Sequence, residues 1–195
     1  YIRDQFEVLY QDEPVEINAI EALTSDLPSV SLQQNEALIK EISLQEVINT
    51  IDKLPNYKAP SSNRITYEFY KAYHEEVSPI LREVFNKALG LGIIPDLWRK
   101  SVITLLSKKN ETLKNIGNWR PISLVNADAK IFMKIIADRL NHICNDIIDD
   151  YQAGFVKDRS IVDAALDILS TMRSQENQSN TAWLLFLDQK NPLTE

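Results

Sequence analysis

The chain has 195 residues, 44% of them hydrophobic and 25% charged, with a formal net charge of −7. That length suffices for one domain with a core, and the composition is ordinary for a globular chain, so wholesale disorder is excluded. No run approaches the roughly 20 apolar residues of a membrane span, Tyr1-Ile2-Arg3-Asp4 is no signal peptide, and the single Cys144 forms no internal disulfide. We expect a soluble intracellular chain, nuclear or cytoplasmic, and the first residue, Tyr1 rather than Met, points to a piece of a longer reading frame.

The negative sum hides a basic patch. Residues 1–55 hold three basic residues against eleven acidic ones, which leaves 18 against 17 over residues 56–195. Between Arg99 and Arg120 six basic residues meet one acid, Glu111. Phosphate backbones are bound largely by Lys and Arg, so this distribution is compatible with a nucleic-acid partner despite the net charge.

In chain order, residues 1–40 are acidic and broken by Pro14 and Pro28, and read as a linker with one short helix around Ile17, Ile20 and Leu23. Ser43-Leu44-Gln45-Glu46 is a capping box, opening a helix whose face carries Val47, Ile48, Ile51 and Leu54 before Pro55 ends it. A loop follows over residues 56–66. Thr66 to Leu89 reads as two helices broken at Ser78-Pro79, with Tyr67, Phe69, Tyr70 and Tyr73 at core spacing, and Gly90 and Gly92 as the stop.

Val102 to Leu106 is a β-branched strand ending in Lys108-Lys109-Asn110. Paired with a second strand that starts at Trp119-Arg120-Pro121, it predicts a hairpin whose loop holds Glu111 to Asn118. Lys108 or Lys109 on one strand and Arg120 on the other read either as a solvated charged hairpin end or as a planar fork and a point charge able to converge on one polyphosphate. The period next switches. Ile131, Phe132, Ile135, Ile136, Leu140 and Ile143 recur at helical spacing, with Asp128 as the expected N-cap and Lys134, Asp138 and Asn141 on the wet side. Asp149-Asp150 reads as a solvated helix end rather than a metal site, Cys144 as a buried helical thiol, and His74 and His142 receive no role. Ser160 to Asp163 is a second capping box for a helix through Met172, Arg173 to Thr181 a polar loop, and Ala182 to Asp188 a strand buried on both faces.

The runs Arg120-Pro121-Ile122-Ser123-Leu124, Asp128-Ala129-Lys130-Ile131-Phe132 and Ala137-Asp138-Arg139-Leu140 resemble the fingers region of reverse transcriptases from non-LTR (LINE-like) retrotransposons. Lys58-Ala59-Pro60 before them, and Gln152-Ala153-Gly154-Phe155, Arg159-Ser160-Ile161 and Leu187-Asp188-Gln189 after them, stand in the same order. The resemblance implies an α+β fold: a helix-rich fingers subdomain over residues 41–181 with one β-hairpin, an acidic linker over residues 1–40, and the first strand of a palm, truncated, over residues 182–195.

The activity it implies is that of an RNA-directed DNA polymerase transferring dNTPs to a primer 3′ end. Lys108, Lys109 and Arg120 would bind nucleotide, Lys58, Gln152, Phe155 and Arg159 the template, and Asp188 would be catalytic and a metal ligand. The implied partners are RNA template, DNA primer and dNTP, and the implied cofactor is the Mg2+ of the parent enzyme, with two cations about 4 Å apart.

The chain departs from the family in two places. Its loop has Ser61 and Arg64 where the family pattern K-A-P-G-x-D-G has glycines, and Asn63 where it has Asp; an Arg at a positive-φ site costs on the order of 1 kcal/mol. After Asp188 the family pattern breaks off, and no Y-x-D-D is present. One carboxylate does not organise two magnesium ions, so the expectation is a chain that is silent alone. The rival expectations are a non-catalytic RNA-binding module and an inert retroelement relic.

Overall fold

The computed structural model describes Glu7, residues 15–108, residues 118–177 and Leu185. The chain divides into two compact units, Ser31–Leu140 on one hand and Tyr1–Val30 with Asn141–Glu195 on the other.

In the second of these, α1 (Ile17–Thr24) is exposed along its whole length, a short helix where the linker was expected to hold one. Within the first unit, Ser31 accepts from the Gln34 amide while the Gln34 side chain returns to the Ser31 amide, so α2 (Leu32–Ile39) opens on a capping box that the linker reading lacks. The same device at Ser43 and Glu46 starts α3 (Leu44–Asp52), as expected. Val47 and Ile51 are fully buried on its inner face, Leu54 nearly so.

Next come α4 (Tyr67–Ala72) and α5 (His74–Leu91). The break between them falls at Tyr73, with φ −118° and ψ 32°, not at Ser78-Pro79. Pro79 instead sits in the second turn of α5, where it removes one amide donor. Packing explains the difference: Ser78, Leu81, Phe85 and Ala88 form one continuous buried stripe that a restart at Pro79 would interrupt. Gly90 is inside the helix, and Gly92, at φ 66°, is the residue that ends it. Of the four aromatics, Tyr70 is buried and Tyr67 packs against the core, whereas Phe69 and Tyr73 are exposed and touch each other with ring centroids 5.2 Å apart.

A 3-10 turn (Asp96–Arg99) leads into β1 (Val102–Ser107), which pairs antiparallel with β2 (Trp119–Leu124). Then α6 (Ala127–Asn141) brings Ala127, Ala129, Ile131 and Ile135 to the core. Asp128 is the second residue of α6 and not its N-cap. Trp98, Phe85 and Phe132 form an aromatic triangle with centroids 5.1 to 5.7 Å apart, in the tilted and edge-on geometries that rings prefer.

In the unit containing residues 141–195, α7 (Cys144–Ile147) carries a half-buried free thiol, and α8 (Ile161–Asn177) extends past Met172 into the first part of the segment expected to be a loop. Arg173, Gln175 and Glu176 are good helix formers, which accounts for the extra turns. Ser160 caps the Val162 amide at 3.1 Å rather than the third residue. Of the expected strand over residues 182–188 only Leu185 is described, and it is 76% exposed and outside any strand, not buried on both faces as expected.

One ion pair fastens the chain ends of the first unit. Arg139, at the end of α6, donates from Nε and Nη2 to both oxygens of Glu46 at 2.9 and 3.1 Å, and from its Nη atoms to the carbonyls of Leu38, Lys40 and Glu41. Its side chain is only 11% exposed. Burial by itself pushes the Glu46 carboxyl up, but hydrogen bonds from Arg139 and Ser43 more than offset this and hold it below 4.5. Truncating Arg139 to Ala therefore costs about 3 kcal/mol in urea unfolding, and Arg139→Lys recovers only part, because an ammonium cannot serve five acceptors in one plane. Since the folded-state Glu46 is depressed, its contribution is complete above the ordinary carboxylate range and is lost as pH falls below about 4.5. Unfolding midpoints between pH 7 and pH 3 check this: wild type loses more stability over that range than Glu46→Gln.

Candidate nucleic-acid interface

The hairpin places the basic residues. Leu106 faces Arg120 across the ladder, and the Lys108 amide continues it with a 2.8 Å bond to the Asn118 carbonyl. Side chains opposite one another share a face and alternate along each strand, so Lys108 and Arg120 fall on the same face as diagonal neighbours, about 7 to 8 Å apart at the backbone. Arg120 is exposed, and its guanidinium makes no hydrogen bond or ion pair among the described residues. Lys109 lies outside the described residues.

Both strands are tied at their roots. Before β1, the Trp98 indole donates to Asp128 Oδ2 at 2.8 Å, and the Leu97 carbonyl accepts from Asn126 Nδ2 at 3.2 Å. After β2, the Leu124 carbonyl accepts from the Ser61 hydroxyl, and Ser62 reaches Asn126 Oδ1 at 3.5 Å. Asn126 is 1% exposed, and its side-chain amide replaces water with two protein partners, the Leu97 carbonyl and the Ser62 hydroxyl. Burial, and then the negative charge of Asp128, pushes the Tyr70 phenol up to about 12.

The loop carrying Lys58 is therefore docked on the β2–α6 junction. Of its two non-glycine substitutions, only Arg64 takes the left-handed conformation, with φ 59°, as expected of a glycine site. Ser61 does not, and its buried hydroxyl serves as the tether just described. Lys58 and Lys130 both border a small cleft beside Tyr67, with Lys130 Nζ 6.0 Å from the ring centroid.

In the other unit, Gln152, Phe155 and Arg159 share one loop. The Arg159 guanidinium donates to the carbonyls of Ile148, Asp149 and Gln152 and to Asp150 Oδ1, with its side chain 13% exposed. Gln152 Nε2 closes on the Gly154 carbonyl at 3.0 Å. Within this frame Phe155 is held at φ 62° with its ring fully exposed. Asp149 accepts from the Tyr151 amide, and Asp149 and Asp150 do not converge with a third ligand. No group of three or more His, Cys, Asp or Glu side chains among the described residues is placed to hold a metal ion. Asp188 lies outside the described residues.

Three structural residues escaped the sequence reading. Arg139 continues the Ile131–Ile135 spacing by one more turn, and a charge in line with a buried stripe signals an internal partner. Asn126 and Ser61 left no such trace, since a buried Asn or Ser in a loop looks like any turn residue.

The architecture is a helix-rich mixed fold with one small antiparallel sheet, compatible with the reverse transcriptase-like class. Residues 106–192 match the family described as reverse transcriptase (RNA-dependent DNA polymerase). The chain is 32% identical, over 97% of its length and 15% of the relative's, to the transposon TX1 uncharacterized 149 kDa protein of Xenopus laevis. It is also 30% identical, over 60% of its length and 13% of the relative's, to the RNA-directed DNA polymerase from mobile element jockey of Drosophila melanogaster. The probable RNA-directed DNA polymerase from transposon BS, of the same fly, is 29% identical over 64% of the chain and 14% of its own length. The chain belongs to the reverse transcriptase family, as a homologue of the non-LTR retrotransposon polymerases, and spans about one seventh of the length of these relatives.

Arg64 gives the site its stability test. Replacing it with Gly removes left-handed strain at the cost of backbone entropy, so Arg64→Gly raises stability by up to about 1 kcal/mol, read as a rise in melting temperature.

Proposed function

We propose that this chain supplies nucleotide- and template-facing surfaces of a retrotransposon RNA-directed DNA polymerase. The observation that carries the reading is the exposed Arg120 guanidinium, on the same hairpin face as Lys108 and on strands tied at both roots. A fork and a point charge so arranged suit a triphosphate, and we assign Lys108, Lys109 and Arg120 to the incoming dNTP. RNA template and DNA primer are the further partners.

Lys58, Gln152, Phe155 and Arg159 are assigned to the template, in two different ways. The exposed Phe155 ring offers a base-stacking face, and an aromatic held at a strained φ is a recurrent mark of binding loops. Arg159, whose donors all go to its own loop, acts by holding that ring in place.

Reverse transcriptases use divalent metal ions, and Asp188 is the proposed ligand on the strength of the Leu187-Asp188-Gln189 match. Since the described residues hold no metal cluster, no step is derived through the ion. The division into an acidic linker, a fingers region and the start of a palm, and an intracellular location, belong to the same proposal. No helix among the described residues is long and apolar enough to cross a membrane.

The rival reading, an RNA-binding module without nucleotide chemistry, draws on the same cations. Titration with a fluorescent deoxynucleoside triphosphate separates the two. The wild-type chain binds saturably, and Lys108→Ala with Arg120→Ala weakens binding about tenfold or more, the loss expected for charge-assisted phosphate bonds. Equal affinity in wild type and double variant overturns the nucleotide assignment.

A further inference from the structure

The small cleft between the Lys58 loop and the start of α6 has a chemistry that the hairpin assignment does not use. Lys58 and Lys130 both line it, together with Pro60, Thr66, Tyr67 and Ala127. Neither lysine has a carboxylate partner among the described residues, whereas Lys87, Lys134, Arg139 and Arg159 of the same chain are each paired with one.

The cleft's walls are fixed by the Ser61 bond to Leu124 and by the buried Asn126, so the two ammonium groups are presented from a rigid seat. The nearest acid in sequence, Asp128, is turned away. Two residues on a helix differ by about 200° around the axis, and the Asp128 carboxylate is hydrogen-bonded to Trp98. Lys130 Nζ lies over the Tyr67 ring, which holds the cation near the cleft without neutralising it.

Size narrows the ligand. The cleft itself holds only about 10 Å³, room for roughly one water, far below the roughly 300 to 1,000 Å³ of sites that engulf a small molecule. Its lysines therefore serve an anionic group of a longer molecule resting on its rim. We infer that Lys58 and Lys130 together clamp a single backbone phosphate of a single-stranded nucleic acid, with Lys130 as the residue to which the template assignment had given no role. The inference rests on the nucleic-acid reading given above and adds a contact separate from the triphosphate site on the hairpin.

The test uses the full chain and a labelled single-stranded oligo(U) RNA, without triphosphate, followed by anisotropy over a range of salt. Lys58→Gln together with Lys130→Gln lowers the slope of log affinity against log salt by about 0.7, the value of one phosphate on a single strand, each single variant lowers it by part of that, and Lys130→Arg keeps it. An unchanged slope in a double variant that retains its helical circular dichroism overturns the clamp.

Acetylation of the wild-type chain with acetic anhydride, read by mass spectrometry, guards against a variant that does not fold. RNA protects Lys58 and Lys130 but not the exposed Lys53, and equal acetylation with and without RNA refutes the inference. Displacement of the RNA by polyglutamate at equal charge concentration also refutes it, because any polyanion would then do. Loss of triphosphate binding in the hairpin variant, with the cleft lysines still protected, leaves the clamp standing and fails only the nucleotide assignment.

Discussion

The first unit hangs on one guanidinium. Arg139 closes α6 against the entry to α3, reaching Glu46 with Nε and Nη2 and the backbone carbonyls of Leu38, Lys40 and Glu41 with Nη1 and Nη2. Glu46 is at the same time the reciprocal member of the capping box at Ser43. Helix start and ion pair thus share one carboxylate. A segment that composition marks as a linker is consequently pinned at its C-terminal end. Asn86 adds a second hold on the same stretch, accepting from the Ile42 amide and donating to the Ile42 carbonyl, as a neighbouring strand would.

With that end fixed, the core has one order in which to close. Val47 and Ile51 from α3, Leu81 and Phe85 from α5, and Ile131 and Ile135 from α6 fill it. The aromatic triangle of Phe85, Trp98 and Phe132 carries the packing outward to the hairpin root. There the interactions change from apolar to polar: indole to carboxylate at Trp98, amide to carbonyl at Asn126, hydroxyl to carbonyl at Ser61. A two-stranded ribbon alone is marginal in water, and Val102, Leu106 and Ile122 are each more than 40% exposed. Its direction is set by these three bonds more than by burial.

Much of this was legible in sequence, for reasons that can be stated residue by residue. The capping box at Ser43, the hairpin and the apolar spacing of α6 follow from local chemistry, which acts within a few residues. The misplaced helix break shows the limit. Proline chemistry argued for a restart at Ser78, but a stripe running from Ser78 to Ala88 buries more as one helix than the missing amide costs. Asp128 shows another limit. Its capping chemistry was sound in principle, but Trp98, distant in sequence, competes for the carboxylate, and Asn126 takes the position before the helix. Site assignments were least legible where the partner is a backbone carbonyl, as for Arg159, because every residue carries one.

Charge is read most easily in the aggregate and means least there. A net charge of −7 repels phosphate taken as a total, but the sum mixes two populations of cations. Arg139 and Arg159 are turned inward and hold loops together through carbonyls and carboxylates. Arg120, Lys58 and Lys130 are left without acidic partners among the described residues, and all three stand on the hairpin, the docked loop or the first turn of α6. Screening limits the reach of each charge to about 8 Å at physiological salt. What a phosphate would meet is therefore this local set of cations and not the total of −7.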